Sequence, residues 1–128
     1  MCRVVLDASA LLAVLYRERK RAEVVAMYLD DAMISSVNLS EVLANALDHG
    51  IALEAAREAI ARFSFEIVPA DEELACVAAE LRTATRRLGL SLGDRFCLAL
   101  ALSRKAKVIT TDKQWAKTEL GIKVVVAE

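Results

Sequence analysis

Four acidic residues that lie far apart in the sequence each stand beside the end of a predicted strand or near the start of a predicted helix. They are Asp7, Glu41, Asp94 and Asp112. Carboxylate oxygens without histidine or thiolate neighbours are the ligands that favour Mg²⁺ or Mn²⁺. Such ions can activate a water molecule and stabilise the negative charge that develops on a phosphate group. If the four carboxylates meet, they are suited to hydrolysing phosphodiester bonds.

Each of these acids also has a purely structural interpretation, which is favoured when the acid is considered alone. Asp94 and Asp112 suit the N-cap of a helix, and Asp7 could start a turn. Asn38 and Glu41 are spaced like the two ends of a capping box. The structural interpretation weakens when the four acids are considered together. Neighbouring carboxylates repel one another and lose hydration unless a cation neutralises them.

Strands and helices that would position the acids alternate along the chain. Short runs of apolar, often β-branched residues predict five strands, at 3–7, 32–36, 65–68, 107–110 and 123–126. Asp7 ends the first strand, Glu41 lies in the first turn of the helix after the second, and Asp112 follows the fourth. This alternation predicts an α/β sandwich with a parallel sheet and right-handed crossovers. Functional groups then gather beyond the carboxyl ends of the strands.

Helical patterns fill the segments between the strands. Ser9 is predicted to cap the first helix, and Asp71 a long helix that ends near residue 88. Asp94 is predicted to begin a buried helix that is apolar all round at 96–102. Asp112 is predicted to cap a short helix that contains Trp115, which is predicted to be a packing residue. The remaining helices are predicted at 21–29, 38–48 and 53–63.

The composition is that of a chain that can bury a substantial core. It has 128 residues, of which 56% are hydrophobic, and we expect one domain that spans 1–128. Its apolar runs are shorter than the roughly 18 residues that a membrane span needs. The start of the chain lacks the pattern of a signal peptide. We therefore expect a soluble, cytoplasmic protein that does not enter membranes.

The cysteines and the basic residues are less informative. Cys2, Cys76 and Cys97 are widely spaced without a CxxC motif, so neither a zinc site nor a disulfide framework is expected. Cys76 and Cys97 stand in apolar helical patterns and are predicted to be core residues. The net charge of −1 does not by itself indicate a nucleic-acid-binding protein. Basic clusters at 17–21, 82–87 and 104–107 are explained equally well as solvated helix faces.

Motifs of competing enzyme classes are missing from the sequence. It has no P-loop, no GxGxxG and no GxSxG. A receiver-like signalling domain would need a pair of acids after strand one, an Asp at the end of strand three and a Lys at the end of strand five. Here strand one ends in a single Asp, strand three ends in Val68 and Pro69, and Lys123 precedes the last strand. A receiver-like domain is therefore disfavoured.

Four segments that contain the acids are VLDASA at 5–10, SVNLSEVL at 36–43, LSLGDRFCLALA at 90–101 and VITTDKQW at 108–115. In this order they resemble the motifs of the PIN-domain family, and specifically the VapC-type toxins of VapBC toxin–antitoxin modules. The resemblance implies a PIN-like three-layer α/β/α sandwich around a parallel sheet of four to five strands. It also implies an endoribonuclease that depends on Mg²⁺ or Mn²⁺.

The resemblance assigns roles to individual residues. Its metal-binding and catalytic residues would be Asp7, Glu41, Asp94 and Asp112. Ser9 and Thr111 would orient a carboxylate or a water molecule. Asn45 lies one helical turn after Glu41 and is a further candidate for a polar neighbour of the metal-binding acids, although an ordinary surface amide is as good an explanation. Elsewhere in the segment 17–63 no residue receives a role.

The resemblance also implies partners. These are an RNA substrate, a VapB-type antitoxin and a second copy of the chain in a homodimer. Two other functions stay open at this point. One is a PIN fold that has lost catalysis and serves as a binding module, and the other is a stand-alone RNA-processing nuclease.

Overall fold

A computed structural model describes residues 3–128 and contains five strands, close to the predicted positions. They are β1 (Val4–Leu6), β2 (Ala32–Ser35), β3 (Glu66–Val68), β4 (Lys107–Thr110) and β5 (Val124–Val126). All neighbouring strands are parallel, in the spatial order β3-β2-β1-β4-β5. The predicted parallel sheet of four to five strands is confirmed. Cys2, which was predicted to take no part in a metal or disulfide site, lies outside the described residues.

Six α-helices surround the sheet. They are α1 (Ala8–Leu15), α2 (Arg19–Ala26), α3 (Ser36–Asp48), α4 (Leu53–Ala61), α5 (Glu72–Ala84) and α6 (Leu92–Arg104). The predicted helix at 21–29 begins and ends earlier, and a separate 3₁₀ turn follows at Leu29–Asp31. The long helix capped by Asp71 stops at Ala84, because the chain leaves helical geometry at Thr85 before a 3₁₀ turn. No helix in residues 3–128 is long and apolar enough to span a bilayer.

Both faces of the sheet are covered, as the pattern of burial along β1 demonstrates. Val4 and Leu6 face one apolar cluster, which includes Val25 from α2. Val5 faces the opposite cluster, which is formed largely by α5 and α6. Because successive side chains of a strand point to opposite faces, a strand buried along its whole length needs a helical layer on each side. The three-layer α/β/α sandwich is therefore confirmed.

The helix α6 is the central helix of its layer. Its residues are buried without interruption from Arg95 to Ala101, and it contacts α3, α5 and three strands. Leu102 is 37% exposed, so the predicted burial stops one residue earlier than expected. Cys97 is fully buried as predicted.

Cys76 is exposed, and its prediction as a core residue was wrong. The buried stripe of α5 consists of Leu74, Ala78 and Leu81, which follow one another at helical spacing. Cys76 lies off that stripe and faces outward. The apolar residues around it in the sequence therefore gave a misleading signal.

Candidate active site

The four acids line one cavity at the carboxyl end of the sheet. It has a volume of about 360 Å³, and Asp7, Glu41, Asp94 and Asp112 all contribute to its wall. The remaining lining residues are Ala8, Ser9, Leu12, Asn45 and Trp115. Four segments separated by up to 105 positions in the sequence thus supply carboxylates to one space. Of the residues that the sequence selected, only Thr111 is not part of the lining.

Asp7 is the buried acid of the site, with 5% of its surface exposed. It caps α1, since its Oδ1 accepts a hydrogen bond from the backbone N–H of Ala10 at 2.8 Å. The sequence prediction gave this cap to Ser9, which lies inside the helix instead. The Ser9 hydroxyl donates to the same Asp7 oxygen at 2.7 Å. Asp7 takes the cap because the chain is still extended there as it leaves β1.

A threonine at the end of β4 holds the second oxygen of Asp7. The Thr110 hydroxyl donates to Asp7 Oδ2 at 2.5 Å and accepts the backbone N–H of Asp112 at 3.0 Å. The sequence selected Thr111 for a role of this kind. Thr111 contributes its backbone N–H, which donates to Ser9 Oγ at 3.0 Å. Thr110 thus links the carboxylate of Asp7 to the backbone of Asp112.

Burial dominates the electrostatics of Asp7. The loss of hydration raises the pKa of its carboxyl from 3.8 to about 6, although the hydrogen bonds from Thr110, Ser9 and Ala10 lower it. The negative charge of Asp94 raises the pKa further. A group in this environment is stabilised as an anion by a cation bound beside it.

Glu41 projects from the second turn of α3, one turn later than predicted. The cap of α3 is Ser35, whose hydroxyl oxygen accepts the backbone N–H of Asn38 at 3.1 Å. The predicted capping box between Asn38 and Glu41 is therefore wrong. Their spacing serves another contact, in which Asn38 Nδ2 donates to Glu41 Oε1 at 2.8 Å. Asn38 lies in the first turn, where its backbone N–H is bound by Ser35, and Glu41 lies in the turn that follows.

Asn38 and Gly93 shape the surroundings of Glu41, and the sequence interpretation missed both contacts. Asn38 is buried and its Nδ2 also donates to the backbone carbonyl of Gly93 at 2.9 Å, which joins α3 to the start of α6. A Cβ atom placed on Gly93 would lie 2.2 Å from Glu41 Oε1. The absence of a side chain at Gly93 therefore makes room for the Glu41 carboxylate. The motifs SVNLSEVL and LSLGD contain both residues, but only the packing of α3 against α6 pairs them.

Asp94 was predicted to begin α6 as its cap, but the cap is Ser91. The Ser91 hydroxyl oxygen accepts the backbone N–H of Asp94 at 3.1 Å, and Asp94 Oδ2 accepts the backbone N–H of Ser91 at 2.9 Å. This is a capping box. Asp112 is a cap as predicted, because its Oδ1 accepts the backbone N–H of Gln114 at 2.9 Å at the start of the 3₁₀ turn Lys113–Lys117.

Asn45 and Trp115 complete the wall of the cavity. The Tyr16 hydroxyl donates to Asn45 Oδ1 at 2.6 Å, so the amide nitrogen of Asn45 is the group left to face a ligand. Trp115 is 1% exposed and belongs to the core beneath the sheet. Its predicted role as a packing residue agrees with this burial.

The buried thiol of Cys97 lies within the electrostatic field of three of the acids. Burial raises the pKa of Cys97 well above its usual value, and the negative charges of Asp7, Asp94 and Glu41 raise it further. Cys97 lies one turn after Asp94 on α6, directly within the field of three carboxylates. Three of the acids therefore act on a single buried point.

The donor set fits a hard divalent cation, although the side chains do not form a closed cage. In residues 3–128 no three Asp, Glu, His or Cys side chains stand close enough to hold a metal ion without moving. Each of Glu41, Asp94 and Asp112 has one oxygen bonded to a local donor. Among the described contacts its other oxygen makes no hydrogen bond. Mutual repulsion keeps the carboxylates apart. The oxygens that make no hydrogen bond are the atoms that a cation would draw together.

Comparison with solved structures places the fold among toxin–antitoxin proteins. A toxin–antitoxin complex from Klebsiella pneumoniae matches with a TM-score of 0.75 at 22% identity over 98% of each chain. VapBC2 from Rickettsia felis, solved with a promoter DNA fragment, matches with a TM-score of 0.77 at 16% identity over 98% of each chain. VapC20 from Mycobacterium tuberculosis, described as a sarcin–ricin loop-cleaving toxin, matches with a TM-score of 0.76 at 16% identity, over 91% of this chain and 95% of VapC20. At these identities the likeness shows a shared fold.

Sequence comparison identifies the family. No curated protein matches the chain at a significant level. The family model described as PIN domain, in contrast, matches residues 4–120, which include all four acids and every strand except β5. The chain belongs to the PIN domain family.

Proposed function

We propose that this protein is an endoribonuclease that depends on Mg²⁺ or Mn²⁺, and that it is the toxin of a type II toxin–antitoxin pair. PIN domains and VapC toxins are nucleases, and PIN-domain nucleases generally use divalent metal ions. The observation that carries the proposal is the single cavity lined by Asp7, Glu41, Asp94 and Asp112. Only carboxylates are offered there as charged ligands, which favours a hard cation over zinc.

The four acids would hold the ion, which would supply an activated water and neutralise charge on the phosphate. The chain orients the acids before any ligand arrives. Both oxygens of Asp7 are fixed by Ser9, Ala10 and Thr110. Local donors likewise hold one oxygen of each of the other three acids. Such fixed partners reduce the reorganisation that metal binding requires.

Asn45 would contact the substrate rather than the metal. Its Oδ1 is occupied by the Tyr16 hydroxyl, so its Nδ2 remains to donate a hydrogen bond to a phosphate oxygen. A neutral donor in a wall of carboxylates lets a negatively charged backbone approach without another anion in its path. Ser9, whose hydroxyl is committed to Asp7, acts on the acid instead.

The toxin role rests on the structural neighbours. Those described above are a toxin–antitoxin complex, a VapBC complex and a toxin that cleaves the sarcin–ricin loop. By analogy we assign to this chain an RNA substrate, a VapB-type antitoxin and a homodimeric state, with the cytoplasm as the compartment where it meets RNA. Light scattering at micromolar concentration should give twice the mass of one chain, and a monomer would contradict the dimer.

Two conservative variants and a matched control test the proposal. Asp7→Asn and Asp94→Asn each remove a charged ligand and nearly preserve shape. Cleavage of a structured RNA in Mg²⁺ or Mn²⁺ should fall by several orders of magnitude, and growth inhibition on expression should vanish. Asp71→Asn makes the same change at the cap of α5, outside the cavity, and should leave cleavage unchanged.

The alternative functions give different results in the same assays. Wild-type protein that cleaves no RNA with any divalent ion would support a binding module that has lost catalysis. Cleavage without growth inhibition would support a stand-alone RNA-processing nuclease. Cleavage by Asp94→Asn at the wild-type rate would remove Asp94 from the metal site.

A further inference from the structure

A second cavity lies at the amino end of the sheet, opposite the acids. Its volume is about 540 Å³, compared with about 360 Å³ for the acid cavity. Half of its lining is basic, and the basic residues are Arg3, Arg104, Lys105, Lys107 and Lys123. Of the described residues that line it, none is acidic. This basic cavity is a strong local concentration of positive charge on a chain whose net charge is −1.

The topology of the sheet creates the basic cavity. Arg3 precedes β1, Lys107 begins β4 and Lys123 precedes β5, and these three strands are adjacent. Val4 is in register with Lys107, and the backbone N–H of Val108 donates to the carbonyl of Lys123. The amino ends of three parallel strands therefore place three cations at one edge. The last turn of α6 adds Arg104 and Lys105.

Internal partners neutralise only part of this charge. Glu66 pairs with Arg3 at 2.7 Å and approaches Arg104 at 4.0 Å. The Lys107 ammonium lies over the ring of Tyr28, 4.9 Å from its centre. The carboxyl end of α6 contributes about half a negative charge. Among the described residues, Lys105 and Lys123 have no ion-pair partner, so both ammonium groups remain available to an external anion.

Stabilisation of a helix end explains only two of the five cations. Arg104 and Lys105 stand where basic residues stabilise the end of a helix. Lys105, however, has a φ of +53°, a left-handed conformation that glycine or asparagine adopts more easily. Helix capping does not account for Arg3, Lys107 and Lys123, which lie at the amino ends of three strands. Five cations around a concave surface are better explained by a polyanionic ligand.

We propose that the basic cavity binds the phosphodiester backbone of the RNA at a distance from the bond that is cut. This inference rests on the proposed nuclease function for the identity of the polyanion. Arg3 and Asp7 flank β1 and lie about 13 Å apart along it. The segment 118–123 returns from the acid end of the sheet to the basic end. An RNA strand that follows the β5 edge of the sheet would contact both cavities. Its phosphate contacts would position it without reading its sequence.

The test measures RNA binding separately from cleavage. All proteins carry Asp7→Asn, and the buffer contains EDTA, so that the RNA stays intact. A labelled single-stranded RNA is titrated at several salt concentrations, and its fluorescence anisotropy is recorded. The double variant Lys105→Gln and Lys123→Gln is compared with a control pair, Arg57→Gln and Arg62→Gln, which makes the same charge change on exposed positions of α4 and its end.

We expect the Lys105/Lys123 variant to bind about tenfold more weakly than the control pair at low salt. The slope of log affinity against log salt should become shallower by about 1.4, the value for two lost contacts to a single strand. Equal melting temperatures would show that both variants are folded. Equal affinities and slopes in the two variants would overturn the proposal. The proposal would also be overturned if inorganic phosphate stabilised the fold, and the Lys105/Lys123 variant lost that stabilisation while its RNA affinity stayed unchanged.

Failure of this inference is distinct from failure of the proposed function. A dinucleotide substrate, whose single phosphodiester is the bond that is cut, is too short to reach from the acids to the basic cavity. Its cleavage with Mg²⁺ tests the acid site alone, and the Lys105/Lys123 variant in an otherwise wild-type chain should cleave it at the wild-type rate. Normal cleavage of short and long RNA by that variant, with unchanged affinity, would reject the basic cavity and leave the nuclease in place.

Discussion

The two ends of the sheet carry opposite charges and hold them in different ways. At the carboxyl end each acid is bonded to a fixed partner, such as the hydroxyl of Thr110 or the amide of Asn38. At the amino end the basic side chains are long and largely exposed, and among residues 3–128 only Glu66 forms ion pairs with any of them. Chemistry on a phosphate needs groups held to within a fraction of an ångström, whereas attraction of a polyanion needs only charge.

The carboxyl end of the sheet is therefore where electrostatics lower the free energy of unfolding, and Asp7 contributes most to this destabilisation. Well below pH 3.8 this group is protonated in the folded and unfolded states alike. Between pH 3.8 and about 6 the unfolded chain ionises first, so stability falls as pH rises. Above pH 6 the full cost of about 3 kcal/mol persists.

The first prediction isolates that cost. In EDTA, Asp7→Asn should be more stable than wild type by up to about 3 kcal/mol at pH 7.5, and the difference should shrink toward zero as the pH is lowered to about 4. Asparagine retains the cap of α1. Urea unfolding at a series of pH values measures the difference. A constant difference across this range would mean that Asp7 titrates normally in the folded state.

The second prediction asks whether the acids share a cation. Binding of Mg²⁺ or Mn²⁺ to the folded state alone should stabilise wild type by about 2.7 kcal/mol at a hundredfold excess over the dissociation constant. Asp94→Asn should melt higher than wild type in EDTA and respond less to added metal. Asp71→Asn, the control at the cap of α5, should respond like wild type. If Asp94→Asn and Asp71→Asn respond equally, the acids act as independent caps.

The third prediction separates precise positioning from stability. In Gly93→Ala the new methyl group would displace the carboxylate of Glu41, which is the flexible end of a long side chain. Folding should therefore change little, because alanine also favours the helix by about 1 kcal/mol. Cleavage of RNA should fall at least about tenfold, which corresponds to about 1.4 kcal/mol. Retained cleavage with an unchanged melting curve would show that the position of Glu41 is not critical.

The smallest expected effect belongs to Tyr16. Tyr16→Phe removes the hydroxyl that donates to Asn45 Oδ1 and frees the amide to rotate. Loss of one such hydrogen bond is worth about 1 kcal/mol, so kcat/KM for RNA should fall about fivefold. Metal-induced stabilisation should stay at the wild-type value, since Tyr16 does not contact an acid. An altered metal response would place Tyr16 in the metal site instead.

The sequence by itself determined the alternation of strands and helices and the four acids. Parallel strands are short apolar runs, and the acids follow β1 and β4 or stand near the starts of α3 and α6, so local pattern was sufficient. It also located the cap at Asp112, because a cap depends on a few adjacent residues. The observed caps Asp7, Ser35 and Ser91 each lie two or three positions before the predicted ones, since several residues near each helix start could act as the cap.

Only the tertiary structure decided which neighbours hold the acids. Thr110 and Thr111 are adjacent and identical in type, and the direction of each side chain as the chain leaves β4 selects the one that reaches Asp7. Gly93 matters because α3 packs against α6, and Cys76 is exposed because the buried stripe of α5 runs beside it. The basic cavity likewise gathers residues from three strands and a helix. Contacts between distant segments depend on how elements pack, which no local pattern encodes.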